Sequence, residues 1–374
     1  MRRENLLIIA SSEKDADLYY ATKFIAPDAF AFARIRGKKY ILVSDLEIDR
    51  AKKEACVDQV LSTSRLASEY KQKYGKPPSF ADLVLYFLKK QKVKRLTVPG
   101  SFPVRYYEPL KRAGLKICCK HGIFFEKRLI KDRFEIAAIK QALRATEKAA
   151  HEAIRILERS AIRKDKLYFR GKVLTSEFLR KVIHQTLLEE GCAGEHTIVS
   201  CGRHSIDPHD RGSGPLRAHQ PIVMDIFPRS EKTLYYADFT RTVVRGKAST
   251  KLKKMYAAVR KGQEIAFKML RAGTRAKKVH EAIRTYFTQV GFNTGLRKGR
   301  MQGFFHSTGH GLGLDVHEPP RISVGDDILS SGQIVTVEPG LYYQGVGGVR
   351  LEDVVLITKT GCVNLTKFPK KLEV

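Results

Sequence analysis

The stretch "HSTGHGLGLDVHEPP", residues 306–320, packs three histidines, two acids and three glycines into fifteen positions. Its histidines could bind metal, do acid–base work, or simply be held within a loop. The glycines would let the backbone come close to a metal or a peptide. What separates these readings is whether other ligating side chains occur on strands that could meet this stretch.

Four acids do. Asp225 in "IVMDIF" and Asp238 in "YYADFTRT" lie inside apolar or β-branched runs, read as a hairpin-like pair of strands at 220–227 and 234–244. Glu338 closes the run "QIVTVEPGLYY" (333–343), and Glu352 interrupts "GVRLEDVVLIT" (348–358). A carboxylate buried in such a run has to be paired, protonated or bound to a cation. Arg350 shares a strand face with Glu352 at period two, so a structural ion pair is the plain alternative there. With His310, the four carboxylates form a hard, oxygen-rich donor set. It suits two divalent ions such as Mn²⁺ better than a sulfur-rich zinc site does, with Co²⁺, Fe²⁺ or Zn²⁺ as further options. Two ions ~3.5–4 Å apart can share a water, turn it into hydroxide near neutral pH and polarise a carbonyl.

Around these runs the chain alternates in character. Residues 5–10, 95–100 and 115–119 read as strands, 29–44 as two strands about a Gly37 turn, and 80–91 as a helix. This is an α/β domain over residues 1–125. From Lys131 onward, Ile136, Ile139, Leu143, Ala150, Ile154 and Leu157 mark one face of a long amphipathic helix. Further helices are predicted at 251–270 and 277–290. The strands between and after them point to an α+β domain over 130–374, an antiparallel sheet backed by helices.

In this order, "MDIF…YYADFTRT", "HSTGHGLGLDVHEPP", "VEPGLYY" and "VRLEDVVLIT" resemble the pita-bread metallopeptidases: methionine aminopeptidase, aminopeptidase P, prolidase and their metal-free relative creatinase. The resemblance covers roughly residues 130–374. It implies that Asp225, Asp238, His310, Glu338 and Glu352 are the metal ligands, and that His306, His317 and His209 are active-site histidines. The segment "ADLYYATKFIAPDAFAFARIRGKKYILVSDLEIDRAKKEA" is similar to the N-terminal domain of creatinase and of the aminopeptidase P and prolidase branch. That branch cleaves between an N-terminal residue and a following proline.

The resemblance further implies that Glu338 shuttles a proton to the leaving nitrogen and that His306 stabilises the oxyanion. One ion would hold the substrate's α-amino group, His209 and His317 would line the proline side, Arg350 would orient Glu352, and Tyr342 would belong to the pocket. A homodimer is implied too. An enzyme restricted to Xaa-Pro dipeptides is the alternative activity. The sequence departs from the family in three places. Phe227 stands where relatives usually carry glycine, and 159–175 is longer than usual. The connection between Asp225 and Asp238 is about two residues longer, an even change that preserves strand facing.

Composition narrows the class. Lys and Arg exceed Asp and Glu by 30, and there is no tryptophan. Such an excess can attract polyanions. The basic clusters at 89–95, 251–254, 297–300 and 367–371 are dispersed, however, and no nucleic-acid-binding motif accompanies them, so a basic solvated surface is expected. Some pita-bread proteins are binding scaffolds that have lost catalysis. Lost ligands would mark such a protein, and all five are present. The apolar run Leu6–Ala10 is shorter than the ~7–15 residues of a signal peptide's apolar region. Six cysteines without a CxxC pair fit reduced thiols, and a cytoplasmic protein with no membrane contact is expected.

Overall fold

The computed structural model describes residues 4–374; Met1, Arg2 and Arg3 lie outside the described residues. The chain divides into two compact units, residues 1–126 and 127–374.

The first unit is built on a six-stranded mixed sheet in the order Gln59–Ser62, Lys38–Val43, Phe30–Ile35, Leu6–Ala10, Arg95–Pro99, Lys116–Lys120. The hairpin turns at Arg36 and Gly37, both at positive φ (50° and 91°), the backbone a two-residue turn needs to match strand twist. Side chains alternate between two cores. Leu7, Ile9, Ala33 and Leu42 pack against the helices Thr63–Tyr74 and Phe80–Lys90, while Leu6, Ile8, Phe32 and Ile41 pack with Leu18 and Phe24.

The second unit opens with the helix Arg133–Glu158, started by an Asp132–Glu135 capping box. Its sheets are antiparallel. Ile198–Cys201, Ile222–Asp225 and Thr240–Val243 form one. Glu318–Ile322, Gly309–Gly311, Ile334–Val337, Asp353–Ile357 and Cys362–Asn364 form another. The helices Thr250–Met269 and Ala276–Gln289 bury Met255, Val259, Val279, Ile283 and Phe287 together with Val335, Val337, Val355 and Ile357. The long segment after the first helix is a small meander of Ala161–Arg163, Lys166–Phe169 and Lys172–Val173.

The strands predicted at 333–343 and 348–358 are each broken. Ile334–Val337 stops before Glu338, and the chain resumes as Gly340–Tyr343, because Pro339 has no N–H to continue a ladder. Gly347–Arg350 and Asp353–Ile357 are likewise separated at Leu351 and Glu352. Of the strand predicted over 234–244 only Thr240–Val243 forms; Leu234, at φ 58°, belongs to the turn ahead of it. The two sheets meet at these breaks. Glu352 N–H donates to the Thr240 carbonyl (3.0 Å), and Thr242 Oγ1 both accepts from Arg350 N–H and donates to its carbonyl (3.0 Å each).

Behind the junction, Arg241 is 1% exposed and donates to Asp353 (2.8 Å) and to the carbonyls of Thr240, Glu352, Phe368 and Pro369. All six cysteines are free thiols. No helix of the described residues is long and apolar enough to cross a membrane. Arg241→Met should cost about 3–5 kcal/mol of stability, because it strips a buried carboxylate of one cation and removes the donor from the carbonyls of Glu352, Phe368 and Pro369. Thermal or urea unfolding checks this; a loss below about 1 kcal/mol would contradict the junction's role.

Candidate metal centre

The breaks in the strands aim the acids inward. Asp225 is the last residue of its strand, and Asp238 precedes Thr240–Val243 with Oδ1 accepting from Phe239 N–H (3.0 Å). His310 is central in Gly309–Gly311, Glu338 follows Val337, and Glu352 lies between two strands with Oε2 accepting from Thr240 Oγ1 (2.8 Å). All five line one cavity of about 830 Å³.

His310 Nδ1 faces the Gly311 carbonyl at 3.1 Å, a partner that only accepts, so that nitrogen carries the proton. Nε2 then turns its lone pair toward Asp238 Oδ2 (3.6 Å) and Glu338 Oε1 (3.4 Å). One donor atom each from Asp238, His310 and Glu352 lies within 4.8 Å of the others. Asp225 Oδ1 is buried without a hydrogen-bond partner.

Burial, reinforced by neighbouring carboxylates, pushes Asp238 and Glu352 well above the ordinary range and Glu338 up to about 8. Burial also presses His310 down to about 3, keeping it a neutral donor. Crowded carboxyl groups that a cation would let ionise, a neutral imidazole and an orphaned carboxylate oxygen around one space fit divalent cations.

Several expectations change. Arg350 makes no direct hydrogen bond to Glu352; its Nη2 donates to Asp225 Oδ2 (2.6 Å), its Nη1 to the Tyr342 hydroxyl (2.8 Å), and its Nε to Thr240 Oγ1 (3.2 Å), which in turn donates to Glu352 Oε2 (2.8 Å). Period-two spacing put Arg350 and Glu352 on one face, but the strand breaks between them. Tyr342 is fully buried behind the cavity rather than in its lining.

His306 lines the cavity, yet both its nitrogens are engaged: Nδ1 with the Ser307 carbonyl (2.8 Å), Nε2 with the Tyr342 hydroxyl (3.1 Å). Because the carbonyl takes the N–H, Nε2 is the acceptor, and an oxyanion would be served only after a tautomer change. His209 and His317 are exposed in the cavity lining, the His317 ring standing edge-on to His310 at 4.4 Å.

The remaining parts of the 306–320 stretch serve the fold. A Cβ at Gly309 would lie 2.0 Å from the Thr336 carbonyl oxygen, and one at Gly311 2.3 Å from that of Pro319. These glycines admit neighbouring strands, not metal or peptide. Glu318 is buried and held by Lys131 and by Arg128 (3.0 Å), and Arg128 also grips Asp315 (2.6 Å).

Arg321, Arg211 and Ile198 line the cavity and carried no sequence signal of their own, whereas Phe227, also in the lining, had stood out as a departure from the family's glycine. Arg321 could have been suspected only from its place four residues after His317.

Residues 137–359 match metallopeptidase family M24. The chain is 30% identical over 364 residues to the Xaa-Pro dipeptidase of Pyrococcus horikoshii, covering 96% of this chain and 92% of that protein. Among solved structures, it resembles an X-Pro aminopeptidase from Thermotoga maritima with TM-score 0.82 and 26% identity, over 99% of this chain and 97% of the other. A prolidase from Pyrococcus furiosus matches with TM-score 0.79 and 25% identity, over 98% and 97%.

The acids also set a pH dependence. Folded Glu338 keeps its proton up to about 8, whereas an unfolded glutamate releases it near 4.5, so the folded state binds more protons in between. Stability then falls as pH rises. His306 and His310, pressed from 6.5 down to about 3, act in the opposite sense, but only below 6.5. Chelator-treated protein should therefore lose thermal stability between pH 6.5 and 8, and saturating Mn²⁺ should remove that loss. Melting curves at both pH values, with and without Mn²⁺, test this; a metal-independent pH response would contradict it.

Proposed function

The chain belongs to metallopeptidase family M24, and on that premise we propose that it is a dimetal exopeptidase hydrolysing the bond between an N-terminal residue and a following proline. The observation that carries the reading is the convergence of Asp225, Asp238, His310, Glu338 and Glu352 on one cavity, with a buried carboxylate oxygen left unpartnered.

These five residues would hold two divalent ions, Mn²⁺ by preference for so many carboxylates. When bound, such a pair acidifies water and polarises a carbonyl. Glu338, inside the donor ring, moves a proton toward the leaving proline nitrogen. Arg350 fixes Asp225, so that its other oxygen stays aimed at the ions. His306 faces the scissile carbonyl, its orientation set by Ser307 and Tyr342. His209 and His317 contact the proline side. A homodimer in the cytoplasm is the setting we propose.

One observation favours the dipeptidase alternative. Arg321 and Arg211 bring two cations to the cavity, where a dipeptide's free carboxylate could be received. The assay is hydrolysis of Xaa-Pro dipeptides and Xaa-Pro-Yaa peptides by protein stripped of metal and reloaded with Mn²⁺. Asp238→Ala and His310→Ala should each lower kcat by about 10²-fold or more. Cleavage of the longer peptides supports the aminopeptidase; cleavage of dipeptides alone makes it a prolidase. Absence of both, with metal bound, overturns the proline-specific reading. In a dipeptidase, Arg321→Gln should raise KM for dipeptides about tenfold with little change in kcat.

A further inference from the structure

The fold gathers positive charge that the sequence disperses. Between residues 250 and 289 there are eleven Lys and Arg and only two acids, Glu264 and Glu281. All eleven cations are exposed, because the helices Thr250–Met269 and Ala276–Gln289 turn their apolar faces into the core. Glu264 is shared by Arg260 and Lys261, Glu281 meets Lys277, and Glu373 meets Lys253. Lys251, Lys254, Lys268, Arg271, Arg275, Lys278 and Arg284 form no ion pair among the described residues. Lys254, Lys261 and Lys268 recur every seven residues, about 10 Å apart along one helix face.

Where the helices join, Lys268, Arg271, Arg275 and Lys278 surround a cavity of about 610 Å³ with no acidic side chain in its wall. This cavity shares no residue with the candidate metal centre.

We propose that this two-helix face docks the phosphodiester backbone of double-stranded nucleic acid, without regard to sequence. Each cation that neutralises a phosphate frees a condensed counterion, and this release drives sequence-independent binding to a duplex. Two absences on the face narrow the partner. No large apolar side chain is exposed between residues 250 and 289, so nothing anchors it in a lipid surface. No aromatic ring is exposed there for base stacking: Tyr256 and Phe287 are buried, and Phe267 and Tyr286 pack on the core. A duplex, which offers phosphates and no free bases, fits what remains.

Full-length protein is titrated into fluorescent 25-base-pair RNA and DNA duplexes at 50 and 200 mM KCl, followed by anisotropy. The variant Arg271→Glu/Arg275→Glu/Lys278→Glu should weaken binding at least about tenfold and reduce the slope of log Kd against log salt by about three. The control Lys89→Glu/Lys94→Glu/Lys116→Glu makes the same charge change elsewhere and should stay within about twofold of the wild type. The milder Arg271→Gln/Arg275→Gln pair, with melting curves, guards against loss of fold. No duplex binding by the wild type at 50 mM KCl overturns the proposal. So does an equal loss in both charge-reversal variants, which would mean net charge alone, or binding only to phosphatidylserine vesicles.

Discussion

Four carboxylates and a neutral imidazole share one cavity, and gathering negative charge out of water is the costliest thing this fold does. Burial and mutual repulsion would return Asp238, Glu338 and Glu352 to their protonated forms. The fold answers with fixed local partners rather than with a matching set of side-chain cations. Arg350 takes one oxygen of Asp225, Thr240 takes one of Glu352, and Phe239 N–H takes one of Asp238. The oxygens left over face one space, which is why the arrangement is suited to divalent cations and poor without them.

That constraint explains the strand breaks. A continuous strand spends its backbone on the ladder and sends alternate side chains to opposite faces. Ending the strands at Val337 and Arg350 lets Glu338 and Glu352 turn inward from the junction of two sheets. The junction is then stitched by backbone and hydroxyl hydrogen bonds, and Arg241 with Asp353 closes it from behind. The buried Arg128, Lys131 and Glu318 group holds the chain just after His317, so the exposed histidine sits on a firmly tied loop.

Charge elsewhere follows a different rule. Helices that cover a sheet must turn their apolar stripe inward, so whatever polar residues the sequence carries are displayed together outside. On the helices Thr250–Met269 and Ala276–Gln289 those residues are mostly Lys and Arg. Packing alone thus assembles a basic face, and it is spatially separate from the centre that handles the peptide.

By itself the sequence determined the helices, through their apolar periodicity, and the identity and order of Asp225, Asp238, His310, Glu338 and Glu352, through a chemistry that only acids and imidazole supply. It also carried the family resemblance, because that rests on residue type and order. Tertiary structure decided the rest: that Arg350 grips Asp225 directly and reaches Glu352 only through Thr240, that Tyr342 stands behind His306, that Gly309 and Gly311 admit strands, that Arg321 reaches the cavity, and that scattered lysines form one face. Each of these is a pairing through space between residues far apart in the chain. Spacing along the sequence fixes which face of an element a residue occupies, but not what the fold brings against that face.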